Sequence, residues 1–368
     1  MECSVGLIAR LHDILASGEY TSGKFVKQFE SAFKEEFDLQ GQCIAVNGCQ
    51  NGLFLVLVAL GVHRPLLPDF TFSATAHAAY YACRDFKVGD CHPRTFNLEP
   101  KVKPECDCAI VTHLFGNPAD CQQIHEIANE HQIPVIYDAA HAIGATYKGQ
   151  GIGDMGTASV FSLSPTKTLT AAEGGMVVTS NRCLADKLRK LRNYGNESDY
   201  DCKTPGSNSR LSEFHSIIGL ESLSTFRERQ KHRFALVEEY QSHFSEDMMQ
   251  VSNPLGTHAW KDFSLLLGSK REKVEVELTR HQIPYKRYFR PISDLSSYKG
   301  WLIPQKNALR VFDSIIQLPL HDNLEIEDVR RIAKVVLSVV GVTEAPSVPH
   351  VTLSRPSVTE GVKANSKS

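Results

Sequence analysis

The stretch Val135-Ile-Tyr-Asp-Ala-Ala-His141, followed by Ser159-Val-Phe-Ser-Leu-Ser-Pro-Thr-Lys167, decides how the chain is read. Each half opens on a short run fit for a buried strand and breaks into polar residues where that strand would end. Toward the N-terminus, Ala109–Thr112 reads as another buried strand and Asp120–His131 as an amphipathic helix. Further back, Cys43–Val46 is a strand stub and Gly52–Leu60 an apolar helix. Toward the C-terminus, Gly175–Thr179 is a strand too near Ser159–Phe161 for a long crossover, which leaves room for one of the two to run antiparallel. A charged amphipathic helix over Leu184–Leu191 follows, then a polar loop broken by Gly195, Pro205 and Gly206, then helices to about Phe244. Strands alternating with helices of this length imply βαβ units, so the expected fold is α/β: a mostly parallel mixed sheet flanked by helices.

After Asn253-Pro254 the pattern changes. Strand-like Phe263–Leu267 and Ser314–Leu318, with helices over Lys270–His281 and Glu325–Val340, suit a smaller C-terminal α+β domain. The expected layout is an N-terminal helix over 1–20, a large domain over 21–245, the small domain over 246–342 and a disordered tail over 343–368. The helix rests on Leu7, Ile8, Leu11, Ile14 and Leu15, and Arg10, His12 and Asp13 interrupt any signal-peptide core. The tail is rich in Ser, Thr, Pro and Val and has no periodicity.

Composition narrows the function. The 368 residues are 42% hydrophobic and 22% charged, near ordinary globular values, which excludes global disorder, coiled coil and collagen. Forty basic against 42 acidic side chains offer no sequence-independent grip on nucleic acid. No apolar run reaches the length of a membrane span, so a cytoplasmic location without membrane attachment is expected. The ten cysteines form no CxxC pair, and the closest spacing, Cys106-Asp-Cys108, is not a zinc knuckle. Reduced thiols, and no metal, are the expectation.

In open α/β sheets, ligands bind outside the carboxyl ends of the strands, and several polar residues fall there. Asp138 ends one strand with His141 close behind; Ser162 ends the next, five residues before Lys167. Asn47-Gly-Cys-Gln-Asn-Gly52 joins a strand stub to a helix whose free amides form a ready anion site. Each has a plain structural reading: Asp138 as a cap, His141 as a packed core residue, Lys167 as a solvated loop lysine, Asn47–Gly52 as a turn. Their joint order suits pyridoxal phosphate. A helix start holds the phosphate, a buried carboxylate keeps the pyridine nitrogen protonated, and a lysine forms the Schiff base and later moves the proton.

Further stretches make the pattern specific: Pro68-Asp-Phe-Thr-Phe-Ser-Ala-Thr-Ala-His77, Thr112-His-Leu-Phe-Gly116, Glu173-Gly-Gly175, Arg192-Asn-Tyr-Gly195, Asn208-Ser-Arg-Leu-Ser-Glu213 and Tyr288-Phe-Arg-Pro291. With these, the sequence resembles the DegT/StrS family of sugar aminotransferases, of the aspartate-aminotransferase-like type I fold, from about Thr21 to about Val340. The resemblance implies that Lys167 is the Schiff-base lysine and Asp138 the partner of the pyridine nitrogen. It sets His141 near the cofactor hydroxyl, Phe72 on the ring face and Ser162 at the phosphate. Asn208 matches an asparagine that reaches the phosphate of a neighbouring subunit, which implies a homodimer with shared active sites. Cys49 and Gln50 align with a Gly-Thr or Ala-Thr pair that binds phosphate; the hydroxyl is missing here, and Gln50 offers a side-chain amide instead. Tyr288 and Arg290 are the residues expected to face the substrate.

The activity so implied is amino transfer from glutamate, released as 2-oxoglutarate, to a nucleotide-linked keto-sugar such as a 4-keto-6-deoxyhexose. Two alternatives stay open: dehydration or other pyridoxal phosphate chemistry on the same fold, and a non-catalytic sensor or scaffold. Lys167 weighs against the dehydratase branch, in which the family carries histidine.

Overall fold

The computed structural model describes residues 5–101, 103–196 and 201–341. Cys3 and the tail expected over 343–368 lie outside the described residues. The first part of the chain runs α1 (Val5–Ser17), α2 (Lys24–Glu36), β1 (Gln42–Val46), α3 (Cys49–Leu60), β2 (Pro65–Pro68), α4 (Ser73–Cys83), β3 (Lys87–Gly89), β4 (Cys108–Thr112), α5 (Cys121–Glu130) and β5 (Val135–Asp138). Two short strands, β6 (Thr146–Tyr147) and β7 (Gln150–Gly151), precede β8 (Ala158–Ser162), β9 (Gly175–Thr179), α6 (Arg182–Leu191), α7 (Glu213–Ser224) and α8 (Phe226–His243). The rest is β10 (Gly256–Thr257), β11 (Phe263–Leu266), α9 (Arg271–Arg280), α10 (Lys306–Ser314), β12 (Ile315–Leu318) and α11 (Ile326–Val340).

The main sheet has seven strands in the order β1-β9-β8-β5-β4-β2-β3. β9 pairs antiparallel with both β1 and β8, and the other strand pairs are parallel. This is the α/β architecture expected, with the reversed strand at β9. Side chains alternate across each strand: Ala109 and Val111 of β4 join one core, Cys108 and Ile110 the other. Both faces are covered, by α2 and α5 on one side and α3, α4 and α6 on the other, so β4 is buried along its whole length. Burying each large aliphatic side chain contributes about 1.5–3 kcal/mol.

A third core joins β11, β12, α9 and α11. Leu236, Val237 and Tyr240 of α8 belong to it, while Ile292, Tyr298 and Leu302 pack with the large sheet's core. Packing therefore crosses position 245/246 in both directions.

Several boundaries differ from the sequence reading. The helix expected to start at Gly52 starts at Cys49, one residue after Gly48. The helix read over Asp120–His131 is α5, with Asp120 outside it as the cap: its carboxylate accepts from the Gln123 amide at 3.2 Å. β2, α4, β3 and α10 were not read from the sequence at all. β2 carries prolines at both ends, and proline argues against a strand. α4 is rich in alanine and tyrosine without a polar stripe, so its period is hidden.

Candidate active site

β1, β2, β4, β5 and β8 all point their carboxyl ends at one edge of the sheet, and β9 begins there. At that edge lies a cavity of about 540 Å³. Register explains its walls: Asp138 pairs with Thr112 on one side and Val160 on the other, and Ser162 pairs with Gly175. Cys49, Gln50, Phe72, Asp138, His141, Ser162, Lys167 and Tyr288 all line the cavity, so eight residues singled out in the sequence meet there.

Asp138 is 5% exposed, and its partners are uncharged. Thr75 donates its hydroxyl to Oδ2 at 2.6 Å, the Ala140 amide donates to Oδ1 at 3.1 Å, and the Cys49 thiol lies 3.9 Å from Oδ1. Thr71 continues the hydroxyl chain, 3.3 Å from Thr75 and 3.1 Å from Thr112. Burial raises the Asp138 carboxyl above its ordinary range despite these bonds. A cation placed against it would reverse that, and a protonated ring nitrogen is such a cation.

Lys167 stands on the tight loop after β8, its amide bonded to the Ser164 carbonyl at 3.1 Å. Burial, then the nearby Lys261 ammonium, lowers its amine from 10.5 to about 8. The amine is thereby closer to its nucleophilic, neutral form at physiological pH than a surface lysine. His141 accepts from the Phe115 amide at Nδ1, 3.2 Å, which leaves the ring proton on Nε2. Burial, then Lys167 and Lys261, hold this imidazole well below its usual value, hence neutral. Its ring stacks on Phe115 and Phe289, and Phe72 leans on Phe289 at 5.5 Å.

The opposite end of the cavity is the start of α3. α5, α6 and α7 each have a side-chain cap, from Asp120, Asn181 and Ser212, whereas Gly48 supplies none to α3. The first amides of α3 are therefore open to an anion. Gly48 leaves free space: a Cβ there would meet nothing within 4 Å. Gly175 does the reverse, since a Cβ on it would lie 2.8 Å from Gly48 backbone, so only glycine lets β9 start this close to α3. The Cys49 side chain turns to Asp138 rather than to this end, and burial keeps its thiol protonated. A second hydroxyl stands in the same wall: Ser164 Oγ accepts from Ser162 Oγ at 3.3 Å.

Two expected residues do not join the cavity. Arg290 turns away, donating to Asp294 Oδ2 at 2.6 Å, with its guanidinium 5.6 Å from the Phe312 ring centre. Its short i,i+4 reach to an acid takes the side chain off the cleft. Asn208 is exposed beside the start of α3; Asn47 Nδ2 donates to its carbonyl at 2.9 Å, and Arg210 donates to its side-chain oxygen at 3.2 Å. Besides Lys167, the cations that line the cleft are Lys261 and Lys286. Lys261 is paired at 2.9 and 3.0 Å with Asp262, which also accepts from the Tyr288 hydroxyl at 2.6 Å. Burial would raise the Asp262 carboxyl, but Lys261 and then Tyr288 bring it below its ordinary value. Lys261, Asp262, Lys286, Thr75 and Ser164 were missed; adjacent Lys-Asp after a tryptophan reads as loop, and no spacing marks it. The described cysteines are free of disulfides, and no group of potential metal ligands occurs among the described residues.

An anion cradle at a bare helix start, a buried carboxylate whose hydrogen-bond partners are all uncharged, and a lysine with a lowered amine fit pyridoxal phosphate at its three functional ends. Fold and site thus define a pyridoxal phosphate-dependent enzyme of the aspartate-aminotransferase-like class. The chain belongs to the DegT/DnrJ/EryC1/StrS aminotransferase family, which matches residues 5–337. It is 30% identical over 332 residues to GDP-perosamine synthase of Caulobacter vibrioides, covering 84% of this chain and 88% of that protein. It is 32% identical over 306 residues to UDP-N-acetyl-3-dehydro-alpha-D-glucosamine 3-aminotransferase of Acidithiobacillus ferrooxidans, covering 78% and 82%. Among solved structures, DesV of S. venezuelae superposes with a TM-score of 0.87 at 27% identity, covering 93% of this chain and 96% of that one. No described helix is long and apolar enough to cross a membrane.

Proposed function

We propose that the protein transfers an amino group from glutamate to a nucleotide-linked keto-sugar, a 4-keto-6-deoxyhexose in its simplest form, giving an amino sugar. The observation that carries this is Lys167: an amine lowered to about 8, sharing one cavity with the buried carboxylate Asp138. The nucleotide-sugar class is supported by what the two relatives are named for. When bound, the cofactor supplies an electron-accepting ring for the bond-breaking step at the amine-bearing carbon. Asp138 fixes the charge at the ring-nitrogen position, and His141 offers Nε2–H. Ser162, Ser164 and the first amides of α3 bind the phosphate. Lys167 takes a proton from the donor's carbon and returns one to the sugar's.

Asn208, on the exposed rim, would complete the phosphate site of a second copy. Ile8 and Leu15 of α1, apolar yet exposed in the single chain, support such a dimer. Sedimentation that found a monomer with bound cofactor would remove that role from Asn208.

The test is the visible spectrum of the purified protein with pyridoxal phosphate, beside Lys167→Ala, before and after glutamate. A band in the wild type alone, bleached by glutamate and restored by a nucleotide-linked keto-sugar, is the expected result. Absence of a band at every cofactor concentration would overturn the reading.

A further inference from the structure

Lys167 lines two adjoining cavities. A second one, of about 360 Å³, adjoins the first and is bounded by Lys261 and Asp262, by Pro284–Lys286 and by Gln317–Asp322. Thr166, Lys167, Lys261 and Lys286 line both. The two spaces differ in chemistry. The first is walled by Leu53, Phe72, Leu114 and Phe289 as well as by the polar groups above. The second has four cations, Lys167, Arg233, Lys261 and Lys286, against Asp262 and Asp322.

Those two carboxylates are already satisfied. Asp322 takes Arg233 at 3.0 Å and Arg229 at 3.1 Å, and Asp262 takes Lys261. An ammonium has three donors, so Lys261 keeps one after its two bonds to Asp262. Lys286 stands 5.8 Å from the Tyr288 ring centre, and among the described residues no carboxylate pairs with it. Unmatched positive charge in a partly closed cleft calls for an anionic ligand. Clefts for drug-sized ligands span about 300–1,000 Å³. A cavity of 360 Å³ sits at the bottom of that range, where a five-carbon amino acid fits and a nucleotide-linked sugar does not.

We propose that this second cavity is the carboxylate subsite for a dicarboxylic amino donor, held by Lys286 and by the third N–H of Lys261, with the donor's amine turned toward Lys167. It rests on the aminotransferase reading above. Lys261 and Lys286 then select the donor, whose amine reaches Lys167 across the residues that the two cavities share.

The experiment is calorimetric titration of glutarate, an unreactive dicarboxylate, into the protein treated with pyridoxal phosphate, with uridine diphosphate titrated in parallel. Two variants are compared with the wild type. One is Lys286→Met; the other is Lys261→Met combined with Asp262→Leu, which removes the buried pair together and leaves no lone charge. Glutarate binding about tenfold weaker in either variant, with uridine diphosphate affinity little changed, is the expected result. Weakening confined to uridine diphosphate would mean a phosphate channel and overturn the proposal. So would unchanged glutarate affinity in both variants, or no glutarate binding to the wild type. Glutarate weakened by the variants in a protein that shows no cofactor band would keep the subsite and remove the aminotransferase reading.

Discussion

The cleft has two walls built on opposite principles. The wall formed by the ends of β4, β5 and β8 sets Asp138 and Ser162 by strand register and binds Asp138 through Thr75 and the Ala140 amide. The wall formed by Lys261, Asp262, Lys286 and Tyr288 depends on an ion pair and one tyrosine hydroxyl among loop residues. The first holds groups that any substrate would meet; the second holds charge that only some would. The contrast teaches where to look for each property: chemistry in the register-fixed wall, choice of substrate in the loop-borne one.

Substitution in the first wall should therefore strike the rate itself. Asp138→Asn keeps the shape and the Thr75 contact but loses the charge, and kcat should fall about 10³-fold, the upper end for loss of one preorganised electrostatic group. Steady-state kinetics on protein that still shows the cofactor band would measure it; a fall of less than tenfold would erase the contrast between the walls.

A smaller effect concerns stability. The Lys167 amine falls from 10.5 in the open chain to about 8 in the fold, so the unfolded state binds more protons between those values. Stability of the cofactor-free protein should accordingly rise with pH across that window. Below pH 8 the cost of folding around Lys167 is about 3 kcal/mol. Lys167→Met should be the more stable protein at pH 7, with the gap closing as pH climbs toward 10.5; denaturant titrations at several pH values would check it.

The smallest effect expected is at Arg290. Its ion pair with Asp294 is exposed and turned from the cleft, so Arg290→Ala should leave the KM for both substrates near the wild-type value. A large rise in the sugar's KM would return Arg290 to the site and redraw the second wall.

The same division governs what could be read from residues alone. Asp138, Ser162 and Lys167 follow apolar runs directly, so the strands that position them announce them, and the antiparallel β9 was foreshadowed by the short gap after Phe161. Lys261 and Asp262 follow Ala259-Trp260 with no period, no spacing and no breaker; only the tertiary fold turns adjacent opposite charges into a buried pair. Arg290 lies off this cavity for the converse reason: its neighbours suggest a ligand-facing cation, but Asp294, four residues on, pairs with it. Thr75 was hidden because α4 itself was hidden, in a segment whose small and aromatic residues give no polar stripe. Ser164 carries no signal of its own beside Ser162, which closes the strand two residues earlier on the same wall.

The reversed β9 has a further consequence for how the chain is made. β1 has a single partner in the main sheet, β9, with Gln42 opposite Thr179 and Val46 opposite Gly175. During synthesis, then, an apolar strand leaves the ribosome and waits without its neighbour until residue 179 has emerged. Long-range closure of this kind slows folding and leaves a bare sheet edge exposed in the meantime. The start of α3, attached directly to β1, stays unanchored over the same interval, so the anion cradle is among the last parts of the large sheet to take its final position.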